Sequence, residues 1–182
     1  MKLKHIAAWG LGIVAAGAIS LYGVLVIETR RYDPSLLISC LRVNPPLAAW
    51  TCKQVLLHDD FKQEHVEELN RVAGVKFALA LEDLETAEKM LLLFLARGVD
   101  INAVDEGARN WTALYVMIAD NDIARIQILL RHGARLDVRD TGGMTPLDFA
   151  RRLQEKYPNE PQRAEVVRIL EEAAKTQAGL PK

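Results

Sequence analysis

The sequence predicts an all-α chain: a short solenoid of stacked helix pairs with helical caps, preceded by one N-terminal transmembrane or signal helix. Three observations carry that prediction. Residues 6–27 form an apolar run without a charge, and a short phrase opened by threonine recurs after 33 residues, at Thr112-Ala113-Leu114 and Thr145-Pro146-Leu147. The composition is half apolar yet only 6% aromatic, rich in Leu and Ala, which suits helices packed on helices. At 182 residues the chain is long enough to bury a core of its own.

The N-terminal element comes first. Its 22 uncharged residues, as a helix rising about 1.5 Å per residue, just span a hydrocarbon core of about 30 Å. Lys2, Lys4, Arg30 and Arg31 against Glu28 make the first 31 residues +3, so the remainder of this −1 chain is −4. The basic tip places the amino terminus in the cytoplasm and the bulk of the chain across the membrane. A cleaved export signal is the alternative, because Ala16-Gly17-Ala18 offers a small-x-small site, although the apolar run continues to Ile27. Ala8, Gly12, Ala16 and Ser20 share one helix face, where small residues let two anchors approach and dimerise weakly; they are also ordinary anchor residues. The mildly acidic remainder lacks the basic footprint of a nucleic-acid binder.

Residues 32–74 read as a helical cap between the anchor, residues 1–31, and the repeats, residues 75–182. Asp33-Pro34 opens a helix through Leu36, Leu37, Cys40 and Leu41, and Asn44-Pro45-Pro46 stops it. A second helix from Leu47 to Leu57 completes a hairpin in which Cys40 and Cys52 can face each other. A disulfide there suits an exported chain; two small buried thiols are the other reading. Asp60 starts a third helix, with Gln63 placed as in a capping box and Gly74 closing it in the left-handed region. His58 and His65 match no zinc spacing, so no metal site is assigned.

Further on, Arg97-Gly98-Val99-Asp100 and Arg131-His132-Gly133-Ala134 repeat a helix end, glycine to glycine, after 35 residues. The two extra residues fall in Glu106-Gly107-Ala108-Arg109 and lengthen one turn. Gly98 and Gly133 permit positive φ, Asn121 replaces glycine in an interhelix turn, and Thr112 and Thr145 cap the helices that follow. Leu114, Ile118, Ile126, Leu129 and Leu130 supply apolar stripes. The upstream unit is weaker, with an inner helix expected over Phe77–Leu84 and an outer one over Thr86–Arg97. Arg163 to Lys175 reads as the capping helix, with Val166, Leu170 and Ala173 inward and Glu165, Arg168, Glu171 and Glu172 toward water.

The stretch from Trp111 to Leu147, with its Thr-Pro-Leu phrase and its period, resembles ankyrin repeats: two good copies, one degenerate copy and helical caps. The resemblance implies a binding module that meets another protein through its turn tips and concave face, with no catalytic residue and no cofactor. It places contacts at Glu106, Arg109 and Trp111 on the longer turn and at Thr141 and Met144 on the next. On the inner helices it places them at Ala119, Asp120, Asp148, Arg151 and Arg152. Trp111 stands out, since tryptophan is enriched at binding hot spots; the competing reading folds it onto the adjacent repeat.

No Gly-rich phosphate loop, nucleophile elbow or zinc motif is present in the sequence, and Gly142-Gly143 reads as a turn. Together, anchor and repeats resemble an exported bacterial ankyrin protein, single-pass in the inner membrane with its bulk in the periplasm. Such proteins resemble immunity proteins that bind and inhibit a cognate secreted toxin, for example a lipase-type effector. The alternative is a periplasmic protective or assembly factor for an envelope enzyme in oxidative-stress defence.

Overall fold

The computed structural model describes residues 23, 24, 27, 34–41, 46–58 and 61–178. Apart from Gly23, Val24 and Ile27, the apolar run lies outside the described residues, as do its small-residue face, the Asp33 cap and Asp60. Among the described residues no helix is long and apolar enough to cross a membrane. The chain divides into two units, residues 1–60 and 61–182.

The first unit contains α1 (Pro34–Cys40) and α2 (Pro46–His58), each opened by a proline whose missing N–H costs nothing in a first turn. The two helices pack together, and Leu37, Ile38, Cys52, Val55 and Leu56 are buried. Cys40 and Cys52 are joined in a disulfide whose Cα atoms lie 6.2 Å apart across a sequence separation of 12. Closing a loop this short contributes about 3 kcal/mol in the chain-entropy account.

The second unit holds α3 (Gln63–Arg71) and then three helix pairs. These are α4 (Val75–Leu79) with α5 (Leu84–Ala96), α6 (Ala113–Ala119) with α7 (Ile123–Arg131), and α8 (Pro146–Lys156) with α9 (Pro161–Ala178). Each pair packs internally, the inner helices α4, α6 and α8 contact in sequence, and so do the outer helices α5, α7 and α9. Two layers result, with Phe94, Leu114, Tyr115, Ile118, Ile126, Leu129 and Leu170 fully buried among them.

Several local expectations change. Grouped by sequence with the hairpin, α3 instead joins the repeats: Val66 and Leu69 are buried, Arg71 O accepts from Glu106 N at 3.0 Å, and Asn70 Oδ1 accepts from Asp100 N at 2.8 Å. Its N-cap is Lys62, without a side-chain cap, and the capping box expected from Asp60 lies outside the described residues. Gly74 does not take the left-handed region; Ala73 does, with φ 50°. Glycine is needed at 74 for a different reason, since a Cβ there would meet Leu69 backbone oxygen at 2.8 Å. The upstream inner helix is Val75–Leu79 and not Phe77–Leu84, because Asp83 caps the outer helix by accepting from Thr86 N at 2.7 Å.

Other backbone expectations match the structure. Gly98 and Gly133 end α5 and α7 at φ 90° and 91°, and Asn121 takes φ 59° between α6 and α7. Thr145 forms a capping box with Asp148, whose carboxyl is held below the usual range by that hydroxyl and the Thr145 N–H. Thr112 does not cap α6; its N3 residue is Tyr115, which has no carboxylate to reciprocate, and its hydroxyl is buried without a partner.

Two arginines tie the layers together. Arg125 of α7 reaches back to α4, donating through Nε to Leu79 O at 2.6 Å and through Nη2 to Leu81 O, while Asp122 steadies it. Arg163 of α9, 8% exposed, donates to Ile118 O at 2.7 Å and Ala119 O at 3.2 Å at the end of α6, with Glu160 steadying it at 2.9 Å. Each outer helix thereby satisfies the carbonyls of the preceding inner helix. Glu88 of α5 adds an outer tie, accepting from Arg131 and lying 2.7 Å from His132 Nε2.

Arg163→Leu is expected to destabilise the chain by about 2–4 kcal/mol in urea unfolding, because buried carbonyls lose their donors. Arg163→Lys should recover only part of that loss, since an ammonium lacks the planar fork. The two threonines should separate: Thr145→Ala costs about 1 kcal/mol, whereas Thr112→Val is neutral or mildly stabilising. As the Asp148 carboxyl is depressed, the cap's contribution is present above the ordinary value of 3.8 and is lost as pH falls through the lower folded value.

Candidate functional site

The turns between repeats carry most of the sequence-assigned residues. The longer turn runs from Asp105 to Trp111, closed by Asp105 N donating to Trp111 O at 2.8 Å; the next is closed by Asp140 N donating to Met144 O at 3.0 Å. The two extra residues are accommodated by Arg109 and Asn110, both left-handed at φ 58° and 56°. Turn joins turn in a ladder: Glu106 N donates to Arg71 O, and Thr141 N donates to Arg109 O at 2.9 Å. Insertion therefore brings Arg109 against the start of the following turn.

An acid stands at the base of each turn. Asp105 accepts from Gly107 N and is paired with Lys76. Asp140, 5% exposed, accepts through Oδ1 from Gly142 N and Met144 N, both at 2.9 Å, while its Oδ2 is buried without a partner. Beside it, the Tyr115 hydroxyl donates to Met144 O and Val138 O, fixing the turn to α6. Burial, and then the Asp140 charge, push the phenol well above its ordinary value, so it remains a donor.

Between these turns and α8 opens a cavity of about 560 Å³. Arg109, Asp140, Thr141, Gly142 and Met144 of the turns line it together with Phe149, Arg152, Leu153 and Lys156 of α8. The volume lies within the range that holds small ligands or short peptide segments. Arg109, Arg152 and Lys156 are exposed and form no ion pair with a described residue; Arg152 lies 3.7 Å from the Met144 sulfur, and Lys156 lies over the Tyr157 ring.

Four residues assigned from the sequence, Arg109, Thr141, Met144 and Arg152, thus meet around one cavity. Others are engaged elsewhere. Asp148 belongs to the capping box, and Arg151 is paired with Glu171 of α9 at 2.7 Å. Glu106 and Asp120 are exposed and Ala119 partly so, none of them lining the cavity. Trp111 is half-buried, folded back with its ring 5.1 Å from Phe149 and stacked 6.2 Å from Tyr115, and its Nε1 is buried without a partner. Apolar neighbours on the next repeat hold it more favourably than water does.

Sequence reasoning missed Tyr115, Asp140, Phe149, Leu153 and Lys156. A signal existed for α8: Phe149, Arg152, Leu153 and Lys156 follow the i, i+3, i+4, i+7 pattern of one helix face. For Asp140 and Tyr115 there was none, because their roles depend on contacts between repeats.

Residues 77–177, more than half of the chain, match the family described as ankyrin repeats, in three copies. Those residues cover the three helix pairs. Over 103 residues, 57% of this chain, the sequence is 32% identical to the inhibitor of Bruton tyrosine kinase from Xenopus laevis. The chain spans 7% of that relative's length.

Since Trp111 packs on the next repeat, Trp111→Ala is expected to cost about 2 kcal/mol of stability, read as a lower urea midpoint with an unchanged slope. A variant that kept wild-type stability would show that these ring contacts contribute nothing.

Proposed function

We propose that this chain, which belongs to the ankyrin-repeat family, is a non-catalytic protein-binding module whose working surface is formed by its turn tips and α8. One observation carries the reading: the cavity gathers three exposed cations, none in an ion pair with a described residue, around an apolar wall. Thr141, Met144, Arg109 and Arg152 are its centre. Glu106 and Asp120 extend it along the turns and α6.

The finer proposal is an inhibitor held at the bacterial inner membrane by residues 6–27, with its bulk in the periplasm. There it would act as an immunity protein, covering the active site of a secreted toxin such as a lipase-type effector. The uncharged run and its basic tip support the tether, and the Cys40–Cys52 disulfide suits an oxidising compartment. From the named relative comes only the class of action, inhibition of another protein.

Location and action are tested separately. Alkaline phosphatase fused after Lys182 should be active, and an inactive fusion would overturn the periplasmic placement. The immobilised full chain should retain a secreted enzyme from periplasmic extract, and the purified pair should show loss of that enzyme's activity at equal stoichiometry. Undiminished activity in the complex would overturn inhibition. If the retained protein is an envelope enzyme and deletion sensitises cells to peroxide, the protective reading replaces it.

A further inference from the structure

Arg109, Arg152 and Lys156 bring three positive charges to one cavity, and Asp140 is the only acid among its lining residues. The cavity therefore carries an excess of two positive charges, close to a wall made by Met144, Phe149 and Leu153. We propose that it receives an acidic segment of the partner protein, bearing two carboxylates beside an apolar side chain. This rests on the protein-binding reading and names the chemistry that reading leaves open.

Three features select this occupant. First, Arg109 and Arg152 line the cavity from different elements, one from the inserted turn and one from α8, so a pair of carboxylates can be held by two guanidinium groups. Second, neither arginine is ion-paired with a described acid; Arg151, next in sequence, is by contrast paired with Glu171. The exposed cations are left to an external acid. Third, about 560 Å³ is far more than a single phosphate fills, and Met144, Phe149 and Leu153 offer nothing to an ion. An acidic and apolar peptide segment uses both walls.

Asp140 refines the choice. It sets one acid among the three cations of the lining, which makes a more densely charged occupant, such as a nucleic-acid backbone, less favoured than a segment with two carboxylates.

A peptide library displayed on phage and selected against the full chain tests this. The charge-neutralised chain Arg109→Gln, Arg152→Gln, Lys156→Gln serves as counter-target. All three side chains are exposed and outside ion pairs with described residues, so the thermal midpoint should hold; if the triple variant is unstable, Arg152→Gln and Lys156→Gln are read singly. Enriched peptides should carry two acidic residues beside Leu, Phe or Met. They should bind the neutralised chain at least about tenfold more weakly, weaken with salt, and lose affinity when Glu is replaced by Gln. Enriched peptides without acids, or ones that bind both chains equally, would overturn this proposal and leave the protein-binding reading intact. If nothing is enriched, or if a single-stranded oligonucleotide displaces the acidic peptides at lower concentration than peptide itself, the proposal falls. A chain that enriches no peptide and retains no protein from extract fails both readings.

Discussion

An α-helix that ends inside a stack leaves up to four carbonyls without intrahelical partners, in a place from which neighbouring repeats exclude water. Unpaired buried carbonyls are costly, and that constraint organises the second unit of this chain. Arg125 and Arg163 meet it by reaching from an outer helix to the end of the preceding inner helix. The guanidinium suits the task because its fixed fork serves two carbonyls and an acid together, Asp122 for Arg125 and Glu160 for Arg163. Packing and hydrogen bonding consequently meet in the same residues: Ile118, fully buried with Ile126 and Leu129, is also the residue whose carbonyl accepts from Arg163.

In front, the turns are held by their own acids and by their neighbours: Asp105 and Asp140 organise their loops, Glu106 N donates to Arg71 O at the end of α3, and Thr141 N donates to Arg109 O of the preceding turn. Side chains on the tips are left to face outward, and Arg109 does so from a left-handed residue that the two-residue insertion supplies. A longer turn adds little closure entropy, because that term grows only logarithmically with length. Variation at Glu106–Arg109 is thereby cheap, while Asp105 and Trp111 at the ends of the turn stay tied to the stack.

How much of this was legible depended on whether a feature is set within one turn of chain or across repeats. Gly98, Gly133 and Asn121 were readable because each answers a backbone demand that its own residue type satisfies. Cys40 and Cys52 were readable as neighbours because a short hairpin fixes their separation. Gly74 was misassigned: the sequence offers a glycine near a helix end, but only the close approach of Leu69 explains it. Arg125 and Arg163 were assigned no role, since their carbonyl partners lie more than 40 residues away. The cavity was half visible. Arg109 and Arg152 could be placed on the right surface from the repeat pattern, whereas the buried Asp140 and the folded position of Trp111 follow from packing between units that no local pattern encodes.

The three inner helices differ in length. While α4 has 5 residues and α6 has 7, α8 runs for 11, and residues 155–160 at its end and beyond are exposed. The ends of the two shorter helices are held by arginines of the pair that follows, Arg125 for α4 and Arg163 for α6. The array is therefore directional, like a row of tiles in which each is pinned by the one laid after it, so a change in one pair is felt by the pair before it.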